Sequence, residues 1–429
     1  MEAVATGFKQ TKIGEMPEEW SMEYLGNVAS ITRLAGYEYS EYWEESEEGE
    51  IIALRGYNIG KGRIILRDIA KISNDLSLKL IRSRLSKGDV VYPCVGTIGN
   101  ASVIKENDKF HIQQNIAKIS CRSNCDPYYL VQFLMSGLSL KEVMRFSASS
   151  SQPNVLVGSL RQYCLRVPPL PEQKKIAEIL STVDEAIEQT QSIIAETQKL
   201  KKGLMQHLFT KGIGHTKFKQ TKIGEIPEEW CESRLDELCD SKMDFIDGDW
   251  IESPYIEKDG IRLIQTGNIG IGEFKNKSKN YVSHKTFKEL KCKEVLPNDL
   301  LICRLASPIG RSCIVPNTGE RFITSVDVTI TRPNPKFIEP VFLSYFLNHY
   351  PTLGWLNRQG GGVAHQRISR KNLGKLNVPL PPLPEQKKIA KILSEVDNKI
   401  EEENINLKEL QNLKKGLMQV LLTGKVRVK

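Results

Sequence analysis

Two short stretches hold the residues best able to do chemistry. Asp126-Pro127-Tyr128-Tyr129 looks like the D-P-P-Y box of an adenine-N6 methyltransferase, and Gly56 to Gly62 (GYNIGKG) could pass for part of a phosphate cradle. Their surroundings support neither reading. The first has no Gly-rich cofactor loop with it. An acid followed by proline is equally a helix start, with a capping carboxylate and proline in the first turn. The second lacks the Gly-Lys-Ser/Thr ending of a P-loop and reads as a turn between strands whose glycines set its shape. The six histidines form no cluster with carboxylates, so no hydrolytic or metal centre is expected. The nine cysteines show no paired C-x-x-C spacing. Cys121 and Cys125 are the closest pair and read as reduced intracellular thiols rather than zinc ligands.

The elements that must position these residues are set by an internal repeat. Pro168 to Gly212 begins PPLPEQKKIAEILSTVDEAIEQ, and Pro381 to Lys425 begins PPLPEQKKIAKILSEVDNKIEE, at an offset of 213. Phe8 to Trp20 (FKQTKIGEMPEEW) returns as Phe218 to Trp230 (FKQTKIGEIPEEW). Between these signposts the likeness is fainter. Arg55 to Gly60 matches Gln265 to Gly270, Lys87 to Val91 matches Pro297 to Leu301, and Thr97-Ile98-Gly99 matches Pro308-Ile309-Gly310. The repeat also weighs against both motifs above. The second copy answers DPYY with Glu339-Pro340-Val341-Phe342, and has Ile271 where the first has Lys61. Four segments follow: globular parts at 1–167 and 213–380, and long helices at 168–212 and 381–425.

Each long helix opens with proline and an acid that meets the positive end of the helix dipole. Apolar positions then step by four and three, the spacing of a heptad seam. In the first copy the seam is Ile176, Leu180, Val183, Ile187, Ile194, Leu204 and Leu208; in the second it is Ile389, Leu393, Val396, Ile400, Leu407, Leu410, Leu417 and Leu421. Lys201 and Lys414 occupy one shared seam position. Matched registers imply that the helices pack on each other, and a polar seam residue can fix that register. At about 1.5 Å per residue each helix is roughly 55–60 Å long, too long for the interior of one ordinary domain.

The globular parts read as strands among Gly and Pro: Val90, Val91, Val95, Ile98 and Val103 to Ile104 in one, Leu300 to Cys303 and Ile314 to Val315 in the other. Short helices are expected at Tyr128 to Met135 and Val341 to Asn348. The fold class is therefore α/β (α+β), two mixed domains with largely antiparallel sheets, joined by two long helices in a pseudo-twofold repeat. The chain has 429 residues and a net charge of +8, with Lys and Arg spread widely, a balance compatible with nucleic acid. No signal peptide and no membrane-spanning apolar run is found, so a cytoplasmic protein is expected.

With these residues in view the chain resembles the specificity (S) subunit of a type I restriction-modification system. The twin PPLPEQKKIA helix starts, the IGEMPEEW and IGEIPEEW openings and the two-unit layout carry the resemblance. It implies that the globular parts are target-recognition domains, each reading half of a bipartite double-stranded DNA site. It implies that the long helices pair antiparallel, hold the heads apart and dock two methyltransferase (M) subunits, which bring in restriction (R) subunits. It further implies that this chain performs no catalysis and holds no cofactor, S-adenosylmethionine belonging to the partner methyltransferase.

The likeness between copies breaks down near 30–50 (240–260) and just before each proline run. A conserved scaffold with changed loops suits two heads with different targets. In the turns, Arg55, Tyr57, Asn58, Lys61 and Arg63, and Gln265, Thr266, Asn268, Lys275 and Lys277, are candidates to face DNA. Before the prolines stand Ser149, Ser150, Ser151, Gln152 and Asn154, and in the second copy His365, Gln366, Arg367 and Arg370. Gln and Asn can pair with adenine edges and Arg with guanine. Other Lys and Arg would contact phosphates, which position without specifying. The rival is a coiled-coil scaffold whose heads bind protein or small molecules.

Overall fold

The computed structural model describes residues 7–146, 154–362 and 366–428. The chain forms two compact units, Met1–Ser192 with Ile405–Lys429 and Ile193–Asn404.

In the first unit the repeated opening is a hairpin, Phe8–Thr11 against Gly14–Pro17. An antiparallel sheet follows in the order Ala29–Arg33, Ile116–Cys121, Val90–Pro93, Ser102–Val103. A second sheet places Ile51–Leu54 between Ala70–Ile72, antiparallel, and Phe110–Ile112, parallel. Ile51–Leu54 and Val90–Pro93 are short apolar runs buried at every position, which is why they lack the alternation of half-exposed strands. Val95 and Ile98, expected within strands, lie beyond the end of Val90–Pro93 in a connecting loop. The second unit repeats the plan. Its sheets run Phe245–Asp247, Val328–Thr331, Leu300–Cys303, Ser312–Ile314 and Asn280–Val282, Ile261–Ile264, Phe322–Thr324, Glu294–Val295.

The DPYY stretch is a helix start. Asp126 accepts hydrogen bonds from the N–H groups of Tyr128 and Tyr129, both 3.0 Å, and Pro127 opens the helix Pro127–Leu134. Tyr129 is buried, its hydroxyl donating to the Arg166 carbonyl at 2.7 Å. Glu339 and Pro340 do the same for Pro340–Leu347.

The long helices are α1, Leu170–Thr210, and α2, Leu383–Leu421. With 41 and 39 residues they are each about 60 Å long. Every expected seam position is buried or half-buried, Val183, Ile187, Ile194, Val396, Ile400, Leu407 and Leu410 among them. In the first unit Ile176 and Leu180 of α1 pack in one core with Leu417 and Leu421 of α2, closed over by Met16 and Trp20. In the second, Leu204 and Leu208 of α1 join Ile389 and Leu393 of α2 around Trp230. The start of one helix thus meets the end of the other in both units, the antiparallel arrangement. The seam lysines are satisfied across the pair. Lys414 pairs with Asp184, which also accepts from Gln132 Nε2 at 2.9 Å. Lys201 pairs with Asp397, which accepts from the Tyr345 hydroxyl at 2.7 Å.

The two repeated signatures are repeated because they meet. The Trp20 indole donates to Glu172 at 3.0 Å, and Trp230 donates to Glu385 at 3.0 Å. Gln173 accepts from the Asp126 N–H and donates to the carbonyls of Asn124 and Pro168. Gln386 makes the same three bonds with Glu339, Phe337 and Pro381. Glu172 is therefore more than an acid near a helix dipole. Burial opposes its charge, but hydrogen bonds from Arg427 and Trp20 outweigh that and hold its pKa below the ordinary glutamate value.

All nine cysteines are free thiols. Among the described residues no helix is long and apolar enough to cross a membrane, and no His, Cys, Asp and Glu group could hold a metal ion.

Candidate nucleic-acid interface

In each unit the turn that follows the inner strand is built by an asparagine. Asn58 is fully buried; its side-chain oxygen accepts from the Arg55 N–H at 3.0 Å, and its amide donates to the carbonyls of Ile65 and Arg67, both at 2.9 Å. Asn268 repeats this with Gln265 N–H at 2.9 Å and the carbonyls of Lys275 and Lys277. An amide has two donors and one acceptor oxygen, and these bonds occupy both ends. Asn58 and Asn268 were expected to face DNA. The structure corrects this, because buried amides committed to the backbone have nothing to offer a base.

What the turn presents lies around the asparagine. Arg55 is about one-third exposed and held on two sides. One guanidinium nitrogen donates to both Glu45 oxygens at 2.8 and 2.7 Å, and another donates to the Tyr57 hydroxyl at 2.8 Å. The Tyr57 and Glu45 contacts raise its pKa further above the usual arginine value. Tyr57 is exposed, its hydroxyl donating to the Asp68 carbonyl at 3.0 Å. Lys61 and Lys277 are exposed, Lys275 half-buried. Arg63 forms an ion pair with Glu188 on α1. Gln265 accepts from the Asn280 amide at 2.8 Å, and the Thr266 carbonyl accepts from Arg311 at 2.9 Å.

A second loop, 94–101 and its equivalent 304–312, holds this turn in place. Thr97 Oγ1 donates to the Gly56 carbonyl at 3.0 Å, Asn100 to the Ile59 carbonyl at 2.9 Å, and Gly62 N–H to Ala101 at 2.8 Å. In the second unit Arg311 takes the place of Asn100, donating at 2.9 Å to both Ile269 and Thr266 carbonyls, while Gly272 N–H donates to Ser312. The pre-proline segment meets the other side of the same loop. Val155 N–H donates to the Cys94 carbonyl at 2.8 Å, with Asn154 bridged to Val95. Ile368 N–H donates to Arg304 at 3.0 Å, Arg367 is bridged to Leu305, and the exposed Gln366 accepts through its carbonyl from Ala306. Ser149, Ser150, Ser151, Gln152 and His365 lie outside the described residues.

The fold therefore brings the turn and the pre-proline segment together on one rim of each unit, with a third loop between them. The signal for that loop was present in the sequence as the match of Thr97-Ile98-Gly99 with Pro308-Ile309-Gly310. The rim arginines face carboxylates: Arg367 pairs with Asp327 at 2.9 Å, and Arg370 stands 3.9 Å from Asp247. Arg304, between them, is buried, its pKa lowered by burial, and it donates to the carbonyls of Ile368 and Val326. Such a surface offers fixed donors and acceptors to a polar ligand. Elsewhere in the units burial lowers the pKa of His111 and pushes that of His349 down to about 4.

Known proteins align with the chain over both units. The family model for the type I restriction modification DNA specificity domain matches twice, at residues 17–199 and 227–412. The MjaX protein of Methanocaldococcus jannaschii is 30% identical over 434 residues, covering 98% of this chain and 97% of its own. The EcoBI type I restriction enzyme specificity subunit of Escherichia coli is 24% identical over 434 residues, with coverage of 95% and 86%. A solved S subunit of a type I restriction-modification system from M. genitalium superposes with a TM-score of 0.57 at 15% identity, over 94% of this chain and 96% of that one.

Proposed function

Because the chain belongs to the type I restriction-modification DNA specificity family and is its non-catalytic specificity subunit, we propose that each head reads one half of a bipartite, asymmetric double-stranded DNA site. The observation that carries this is the rim itself: one three-loop scaffold occurs twice, bearing Arg55, Tyr57, Lys61 and Asn154 in one copy and Gln265, Thr266, Lys277, Gln366 and Arg367 in the other. Corresponding scaffolds with different polar edges give two readers of different sequences, since base edges in the major groove are told apart by donor and acceptor pattern. Lys275 serves phosphates, which add affinity and salt dependence without sequence information.

The long helices dock two methyltransferase subunits, through which restriction subunits join. S-adenosylmethionine is bound by the methyltransferase, and the assembly works on DNA in the cytoplasm. The test is to co-express the chain with its methyltransferase partner and select binders from random DNA. The expected result is two different short motifs separated by a gap of fixed length. A single motif, or none, would refute the bipartite reading.

A further inference from the structure

The residue ending the inner strand occupies the same place in both heads. Arg55 follows Leu54, Gln265 follows Ile264, and each gives its N–H to the turn asparagine. Each side chain is then held by a polar partner from its own head, but from a different place. Arg55 is gripped by Glu45, in the segment where the two copies diverge, and Glu45 is itself fixed by Gln113 Nε2 at 2.9 Å. Gln265 is held by Asn280, which stands opposite Leu263 on the neighbouring strand. The equivalent position in the first head, opposite Ala53, is Ala70. The partner has changed together with the residue it holds: a carboxylate for a guanidinium, an amide for an amide.

A surface phosphate contact does not need this. A lysine meets phosphate as a point charge and an arginine can meet it with its fork, but a carboxylate chelating that arginine opposes the phosphate. A side chain that must present a planar pattern of donors gains from being held in one orientation. The three hydrogen bonds Arg55 makes leave part of its five-donor fork unspent. The bond from Asn280 leaves Gln265 its amide N–H groups and a lone pair on the oxygen.

We infer that this position is a base reader in both heads, Arg55 for a guanine and Gln265 for an adenine, with Glu45 and Asn280 as the positioning residues that aim them. The inference rests on the heads reading DNA, and deepens that reading to a residue, a partner and a base.

The experiment compares the wild-type complex, co-expressed with its methyltransferase partner, with complexes carrying Arg55→Lys, Glu45→Gln or Gln265→Ala, each by selection from random DNA. Arg55→Lys keeps the charge and removes the fork. It should lower the preference for guanine at one base pair of one half-site by about 10–100-fold and leave the other half-site unchanged. Glu45→Gln should weaken the preference at that same base pair, with the rest of the motif intact, an outcome general loosening of the head would not give. Gln265→Ala should relax one adenine in the opposite half-site only. Arg55→Lys binding every sequence more weakly but with an unaltered motif would make Arg55 a phosphate contact and overturn the inference. Loss at any base other than guanine would overturn it too. A wild-type complex that selects no sequence would refute the DNA-reading function itself, a separate failure.

Discussion

The pair Asp184–Lys414 crosses the helix seam in the first unit, with side chains 22% and 12% exposed. At contact distance and an effective dielectric of about 20, its gross attraction is about 4 kcal/mol. Withdrawing both charges partly from water takes back much of that, which leaves a net coupling of about 2 kcal/mol. Asp184→Asn strands an ammonium beside the apolar seam and should destabilise by about 2 kcal/mol. Lys414→Met should cost about 1 kcal/mol, because Asp184 keeps its bond from Gln132. The double variant removes both charges and should cost only about 1 kcal/mol rather than the sum. Scanning calorimetry reads this as Tm shifts of about 2–4 °C per kcal/mol for a unit of this size. The equivalent pair Asp397–Lys201, 39% and 25% exposed, should couple by less than about 1 kcal/mol. Additive losses in the first pair, or a larger coupling in the more exposed one, would refute the net stabilisation across the seam argued for these charges.

Three further outcomes are expected. Asn58→Ala should lower Tm by about 5–10 °C, from about 2–3 kcal/mol of unmade hydrogen bonds, while the selected DNA motif stays the same; a changed motif with an unchanged Tm would return Asn58 to the reading set. Glu172 has a folded pKa below its unfolded value, so its contribution is present above about pH 4.3 and is lost as pH falls through the folded pKa. The Tm difference between wild type and Glu172→Gln should therefore be flat from pH 7 to 5 and shrink in more acidic solution, and a difference that grew with acid would reverse the sign argued here. Titration calorimetry of the isolated chain with S-adenosylmethionine should give no binding heat, and a stoichiometric micromolar signal would contradict the assignment of that cofactor to the partner.

The long helices were legible because their signal is local and periodic. Ile176 to Leu208 and Ile389 to Leu421 step by four and three in the chain, and the same steps make the buried face. The helix starts at Asp126 and Glu339 were legible for the same reason, since cap and first turn are neighbours in sequence. What could not be read depends on contacts between distant residues. Asn58 has the composition of a base reader, and only the closing of the turn onto Ile65 and Arg67 turns its amide inward. Glu45 and Gln113 were not expected in the site, because only the fold carries them to Arg55, from 10 residues before it and from the end of the neighbouring parallel strand Phe110–Ile112. The loop 94–101 was visible as a repeat, but its place between the turn and the pre-proline segment is a matter of long-range hydrogen bonds.

The central claim, that each head is an independent reader on a common scaffold, is tested most directly by giving both units the same head. Residues 213–380 are replaced with 1–167, the hybrid is expressed with its methyltransferase partner, and the methylated positions in the cell's DNA are sequenced. The account predicts a palindromic methylated site in which the half-site of the first head appears twice in inverted orientation. Methylation that persists at the original asymmetric site would contradict it.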